Sequence, residues 1–324
     1  MSTYLVTGAT GHQGGAVVKG LLAAGVKVHA VVRDQTSPKA KALQDKGVVL
    51  FEGTHEEPDM VFRVAAAGCT GVFLNPTVYE PGKAKEQAEG IINACKAGAG
   101  MTLTTIVLSS TTRTGELHAN LALPASVHPW LGGYYTAKAE VETTVRESQI
   151  TNHTILRPSV LDYDLLMPHS GHSHGYPALP RLAKYVTSLD DNITMPYLDE
   201  GDVGKFAVAA LLDPAKFNGH EFDLASDNLT AHEVTEILAR VSGIKIQYHK
   251  RTSQEMEETK MTEFFQVFEK LANKSPIRVD VEALEAKYGI KLTRFEDYLR
   301  RNKDQLMDSL PPRSLAAVAA LEEH

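Results

Sequence analysis

The sequence predicts an α/β fold, a doubly wound parallel sheet carrying a smaller mixed C-terminal lobe. Between residues 3 and 158, apolar runs and amphipathic runs alternate repeatedly, the pattern of strands joined by crossover helices. The first apolar run enters a glycine-rich turn that opens directly into a helix. After Ser159 the alternation breaks into helices with short strands between them, which predicts a second lobe interleaved with the sheet.

The first strand, Thr3-Tyr4-Leu5-Val6, meets glycines spaced G-x-x-G-x-x-G at Gly8, Gly11 and Gly14, followed by a helix from about Gln13 to Ala24. Gly8 permits the sharp turn, Gly11 lets backbone approach a pyrophosphate, and Gly14 lets the helix pack closely on the strand. The helix start offers N–H groups and the positive end of its dipole to a diphosphate. Thr10, His12 and Gln13 complete this candidate cofactor-binding turn. Val26 to Val32 reads as the second strand, with Arg33 directly after it. An arginine at that strand end suits the 2′-phosphate of NADP, where an acid would suit the ribose of NAD. Asp34 competes with this reading, while Lys39 and Lys41 add charge at the same end. The expected cofactor is therefore NADPH/NADP in preference to NADH.

A helix from Pro38 to Lys46 precedes the third strand, Val48 to Glu52, and then Gly53-Thr54-His55. Gly71 to Asn75 is the fourth strand, stopped by Pro76, and Asn75 stands at its cofactor-facing end. Ile91, Ile92 and Cys95 share one face of a helix over Glu86 to Ala97. Thr104 to Ser110 is the fifth strand, ending in hydroxyls. A polar loop then leads to a helix starting near Tyr134 and running to Ser148, with Ala137, Val141 and Val145 as its buried stripe. Asn152 to Pro158 is the sixth strand. Residues 1–158 are thus read as the dinucleotide-binding domain, 159–310 as the smaller lobe, and 311–324 as a tail. In the lobe, helices are expected over Ala178–Ser188, Val203–Leu212, Ala231–Ser242, Glu255–Asn273, Val281–Tyr288 and Phe295–Asp308, with short strands near Ile193 and Glu221.

The chain's 324 residues accommodate both parts, and a hydrophobic content of 43% with 23% charged residues is that of a globular protein. A net charge of −7 argues against a nucleic-acid surface. No apolar run reaches about 18 residues, and the first strand leaves no room for a leader, so no membrane segment and a cytoplasmic location are expected. Cys69 and Cys95 read as buried small hydrophobes.

Tyr134 and Lys138 are four residues apart, which places both on one helical face. The ammonium can lower the phenol's pKa for proton transfer, and the lysine can hold the nicotinamide ribose. Ser110, at the end of the preceding strand, can orient a substrate carbonyl. Ser109, Thr111 and Thr112 are competing hydroxyls, and Tyr135 is a competing phenol. Tyr79 and Lys83 have the same spacing, but Pro81 and Gly82 between them forbid a common helical face. His169, His172 and His174 lie in a Pro/Gly/Ser loop with no frame or acid at ligand spacing, so no metal is expected. That loop, with Tyr163, Leu166 and Tyr176, is read as lining the substrate cleft.

These residues resemble the short-chain dehydrogenase/reductase superfamily, in its atypical NmrA-like branch. Thr7 to Gly15, Arg33, Leu156-Arg157-Pro158, Asp202-Val203-Gly204 and Thr293 to Asp297 carry the resemblance. It implies a Rossmann-type doubly wound parallel sheet that binds NADP, with a small C-terminal substrate lobe. Gly53-Thr54 replaces the superfamily's usual Gly-Asp. The resemblance implies an NADPH-dependent oxidoreductase acting on a carbonyl or imine of a small organic substrate, with Tyr134, Lys138 and Ser110 as catalytic residues. The rival it also implies is a non-catalytic NADP(H)-binding redox sensor acting through a protein partner. A homodimer is compatible with either.

Overall fold

Strand β1 (Thr3–Val6) is buried along its whole length and leads through the glycine turn into α1 (His12–Ala23). In the computed structural model, which describes residues 2–76, 79–166, 176–259 and 264–312, the chain divides into two compact units. The first holds residues 1–125, 129–158 and 200–224. Its elements continue with β2 (Lys27–Val32), α2 (Pro38–Gln44), β3 (Val49–Glu52), α3 (Pro58–Ala65) and β4 (Gly71–Leu74). Then come α4 (Lys83–Ala99), β5 (Thr105–Ser109), α5 (Thr114–Ala119), α6 (Pro129–Arg146), β6 (Asn152–Pro158), α7 (Glu200–Leu212) and β7 (His220–Leu224).

The seven strands run parallel in the order β7-β6-β5-β4-β1-β2-β3. β1 pairs with both β2 and β4, so the winding reverses there, and in such sheets ligands bind outside the strands' carboxyl ends at that switch. One core lies under α3, α4 and α6, where Phe62, Ile91, Ile92, Cys95, Val141 and Val145 pack on Leu74, Ile106 and Leu108. Cys69 and Cys95 are free and buried, and burial pushes both thiols up to about 12.

The polar loop expected after β5 contains the helix Thr114–Ala119, and three further differences from the sequence expectation concern this unit. β7 is a full member of the sheet rather than a short strand of the second lobe, pairing His220 with Thr154 through Leu224 with Pro158. The chain leaves after β6 and returns through α7, so residues 200–224 rejoin the first unit. Small residues make the return possible: a Cβ on Gly204 would stand 2.8 Å from Ala16 Cβ, and one on Gly20 would stand 2.8 Å from Val208 Cγ2. α3 was not foreseen. Pro58 suits its first turn, and the bare Gly98 of α4 lies against Arg63 O, where a Cβ would come within 1.9 Å. Finally, α6 starts at Pro129 rather than near Tyr134, so Tyr134 lies in its second turn.

The second unit comprises residues 126–128, 159–199 and 225 onward. A three-stranded sheet runs Asp227–Leu229, Met195–Leu198, Val160–Leu161, and Lys184–Thr187 pairs in parallel with Gln247–Lys250. The helix expected over 178–188 is overturned. It ends at Leu182, Ala183 turns left-handed at φ 49°, and a strand follows with Tyr185 and Thr187 buried. Short alternating runs of this kind fit either period, and here packing decides. Tyr185 stacks on Tyr176, which stacks on Phe265. The helix Ala231–Ser242 has a capping box between Thr230 and Glu233 and a left-handed Gly243 at its end. The helix expected over 255–273 is two, Ser253–Glu258 and Phe264–Lys274, and that over 295–308 is split at Asn302. His169, His172, His174 and the tail from residue 313 lie outside the described residues.

Candidate functional site

The glycine turn has the geometry its spacing requires. Gly8 stands at φ +63°, and the Gly11 N–H donates to Gly8 O at 2.9 Å. A Cβ on Gly14 would come within 2.3 Å of Gly8 O and 2.7 Å of Thr7 O, so any larger residue would force helix and turn apart. Gly11 caps α1 without a side-chain hydrogen bond, and the N–H groups of the first turn have no intrahelical acceptor. This cradle, open backbone donors beside positions no side chain can occupy, fits a dinucleotide diphosphate.

The flanking side chains are committed to holding the turn. Asn75 N–H donates to Thr7 Oγ1 at 2.7 Å, tying the end of β4 to that of β1. Asn75 Nδ2 lies 3.8 Å from the place of a Gly8 Cβ, beside the turn. The Ser109 hydroxyl donates to Gln13 Oε1 at 2.6 Å, which leaves Gln13 its backbone N–H for a ligand. His12 Nδ1 lies 4.0 Å from Glu200 Oε1 at the start of α7.

At the end of β2, Arg33 is exposed while Asp34 is occupied. Asp34 Oδ1 accepts from Thr36 N–H at 2.7 Å and Thr36 Oγ1 at 2.6 Å, and these bonds hold its carboxyl below the usual range. The Ser37 hydroxyl donates to Asp34 O at 2.9 Å. Asp34 therefore shapes the turn into α2. His55, at the end of β3, is a residue that sequence reasoning left without a role. Its ring packs on Phe62 at 5.6 Å. Burial depresses its pKa and Arg33 adds to the effect, so a neutral imidazole stands just beyond the place of the superfamily's Gly-Asp.

Tyr134 and Lys138 meet on one face of α6, as their spacing requires, and the structure adds two partners. Lys138 Nζ lies 4.8 Å from the ring centre of Tyr79 and 5.7 Å from that of Tyr134. The rings of Tyr79 and Tyr134 are 5.7 Å apart, and Trp130 stacks on Tyr134 at 5.0 Å. Tyr79, excluded from a helical pair with Lys83, thus joins the other lysine, while Lys83 pairs with Glu80 at 2.6 Å. No sequence spacing pointed to Tyr79 here. Of the two phenols, Tyr135 is sunk in the core and Tyr134 is half-buried.

The electrostatics differ from the expectation. Burial raises the Tyr134 phenol above its ordinary range, partly offset by a hydrogen bond from Thr111. Lys138 is instead the group lowered, to about 8, by burial, against the pull of Glu142.

Ser110 is not available to a ligand as its position in sequence suggested. It is buried and donates to Glu142 Oε1 at 2.7 Å, with Thr114 Oγ1 at 3.3 Å. Glu142 also accepts from Arg157 Nε at 2.9 Å, Arg157 Nη2 at 2.7 Å and Arg146 Nη2 at 2.8 Å. Both arginines also reach Glu221 on β7. The arginine of Leu156-Arg157-Pro158 is therefore half of a buried ionic lock, and the hydroxyl that reaches Tyr134 is Thr111. The loop bearing Thr111 is fixed by Arg113, whose backbone is left-handed at φ +63° and whose N–H donates to Asp223 Oδ1 at 2.9 Å.

Among the described residues, no group of three or more His, Cys, Asp or Glu gathers as metal ligands, and no helix is long and apolar enough to cross a membrane.

A parallel sheet wound in both directions from β1, with a glycine cradle at its switch point, defines the class of nucleotide-binding doubly wound α/β proteins. The chain belongs to the NmrA-like family, whose pattern it matches over residues 1–299. An NmrA-like family domain-containing protein of Dictyostelium discoideum is 22% identical over 311 residues, covering 92% of this chain and 96% of the relative. The fold is shared with NmrA, a negative transcriptional regulator solved in complex with NAD, at TM-score 0.71 and 20% identity, covering 95% of this chain and 98% of that one. It is shared equally with the NADPH-dependent quinone oxidoreductase QOR2 of Escherichia coli, solved with NADPH, at TM-score 0.71 and 18% identity, covering 93% and 99%.

Proposed function

We propose that this protein is an NADPH-dependent reductase of a carbonyl or imine in a small organic molecule. The observation that carries the reading is the convergence of Thr111, Tyr134 and Lys138 past the carboxyl ends of the strands, the edge that also bears the glycine turn. The glycine turn and the first-turn N–H groups of α1 would hold the diphosphate, Arg33 the 2′-phosphate, and Asn75 the path toward the nicotinamide. Bound NADPH would supply the hydride.

The chain's own residues handle the proton. A phenol raised by burial keeps its proton at neutral pH, so Tyr134 reaches the substrate as an acid. An oxygen or nitrogen that gains charge as its carbon is reduced is basic enough to take that proton. Thr111, bonded to the phenol, fixes its direction. Lys138 Nζ stands beside the Tyr134 ring, where its charge would favour the phenolate left when the proton is given up. Ser110 acts at one remove, by anchoring the end of β5 to α6 through Glu142.

Tyr134→Phe should lower NADPH consumption, measured against a panel of aldehydes, ketones and imines, by about 10²–10⁴-fold, with NADPH affinity unchanged. Unaltered turnover would take Tyr134 out of the mechanism. The second reading, a non-catalytic sensor of NADP(H), draws support from the fold shared with the NmrA regulator. It predicts tight NADPH binding with no consumption by any acceptor in the panel.

A further inference from the structure

We propose that His55 is a specificity residue for the dinucleotide, donating its Nε2–H beside Arg33 to the 2′-phosphate that NADP(H) carries and NAD(H) lacks. The proposal deepens the functional reading at its cofactor end. It rests on the glycine turn holding a dinucleotide and not on what that dinucleotide then reduces.

Strand pairing brings the two residues together. β2 and β3 run parallel with Val32 opposite Glu52, and the Gly53 N–H donates to Val32 O at 3.0 Å. Arg33 and Gly53 therefore leave the sheet side by side at the strands' carboxyl ends. Two residues on, His55 is close enough to Arg33 to feel its charge. The ring is held by α3, packing on the buried Phe62 with centres 5.6 Å apart. Gly53 lies so near the same helix that a Cβ there would stand 2.7 Å from Val61 Cγ1.

The surroundings of the ring choose its tautomer. Nδ1 is buried without a hydrogen-bond partner, and Nε2 reaches the surface with no partner among the described residues. A neutral imidazole carries one N–H. A proton on Nδ1 would meet no acceptor, so the proton belongs on Nε2, where water or a ligand can accept it. Burial and the nearby guanidinium both oppose a second proton.

The groups around Nε2–H then define the ligand. Arg33 is exposed and makes no hydrogen bond or ion pair among the described residues. The nearby acids accept from the chain itself: Asp34 from Thr36, Glu52 from the Gln35 N–H at 3.1 Å, and Glu56 from Thr54 and its own N–H. Two donors without an acceptor, one of them charged, suit an anion with several acceptor oxygens, which a phosphate supplies. The adenine amine asks instead for an acceptor. The superfamily's acid would provide one, whereas Thr54 in its place is bonded to Glu56.

The test is calorimetric titration of the full-length protein with NADPH and with NADH. The parent should bind NADPH more tightly. His55→Phe keeps a ring on Phe62 and loses the donor; it should weaken NADPH by on the order of tenfold and leave NADH where it was. His55→Gln, whose side-chain amide restores an N–H, should recover most of the loss. An equal loss for both dinucleotides would make His55 a packing residue and overturn the proposal, as would unchanged NADPH affinity in His55→Phe or a parent that prefers NADH. In each of those cases the glycine turn still holds its dinucleotide. Binding of neither dinucleotide to the parent would remove that reading and the proposal together.

Discussion

The glycine turn and the Tyr134 face of α6 sit past the ends of neighbouring strands, yet they are specified in opposite ways. The turn is a backbone object. Gly8 needs φ +63° and Gly14 needs to lack a Cβ within 2.3 Å of Gly8 O, and both demands are met by residues within one short stretch. The Tyr134 face is a side-chain object drawn from three separate stretches: Tyr79 after β4, Thr111 after β5, and Trp130 to Lys138 on α6. Helical spacing tells which residues share a face but not what that face meets. A constraint on backbone is written locally, while a constraint on environment is written across the chain.

The sharpest way to break this comparison is Gly14→Val. If the turn is fixed by backbone contact alone, the added side chain forces α1 off Gly8, and NADPH affinity should fall by on the order of 100-fold or more. The fold should persist by circular dichroism. Calorimetric titration with NADPH checks it, and near-normal affinity would mean that the turn tolerates side chains and that its legibility was accidental.

The second prediction concerns what the sequence hid. Glu142 had no assigned role, yet it gathers Ser110, Arg146 and Arg157 in a buried cluster. Glu142→Ala takes one carboxylate from Arg146 and Arg157, which keep Glu221, strands the buried Ser110 hydroxyl, and should cost about 1–3 kcal/mol of stability by urea unfolding. Glu142→Gln, which keeps the shape and loses the charge, should cost less. If Glu142→Ala unfolds like the parent, Ser110 is not pinned and regains its claim to face the substrate.

The parts of the fold that were legible share a cause. The strands of residues 3–158 and the longer helices between them announce themselves by period. β7 was misplaced because its membership of the sheet depends on α7 packing against α1 through Gly20 and Gly204, a pairing of distant glycines. The four residues of the strand Lys184–Thr187 fit a helical or an extended pattern equally until Tyr185 finds Tyr176. Strand position does not separate Ser110 from Thr111, but adjacent residues of an extended chain point to opposite sides. That alternation sends one hydroxyl to Glu142 and the other to Tyr134.

The smallest effect tests the environment of the lysine, where spacing alone had assigned the pKa change to the wrong partner. Lys138 falls from 10.5 to about 8 because burial disfavours its charge. Between those two values the unfolded chain binds more protons than the folded one, so this group's contribution makes stability rise with pH. The burial cost is present in full below about pH 8 and gone above pH 10.5. Lys138→Met removes it at every pH. The variant should therefore be more stable than the parent at neutral pH, by roughly 1–3 kcal/mol, and the gap should close as the pH approaches 10.5. Paired urea titrations across that range subtract every other titrating group. A constant gap would mean that the ammonium bears no burial cost; a gap that closes places that cost on Lys138.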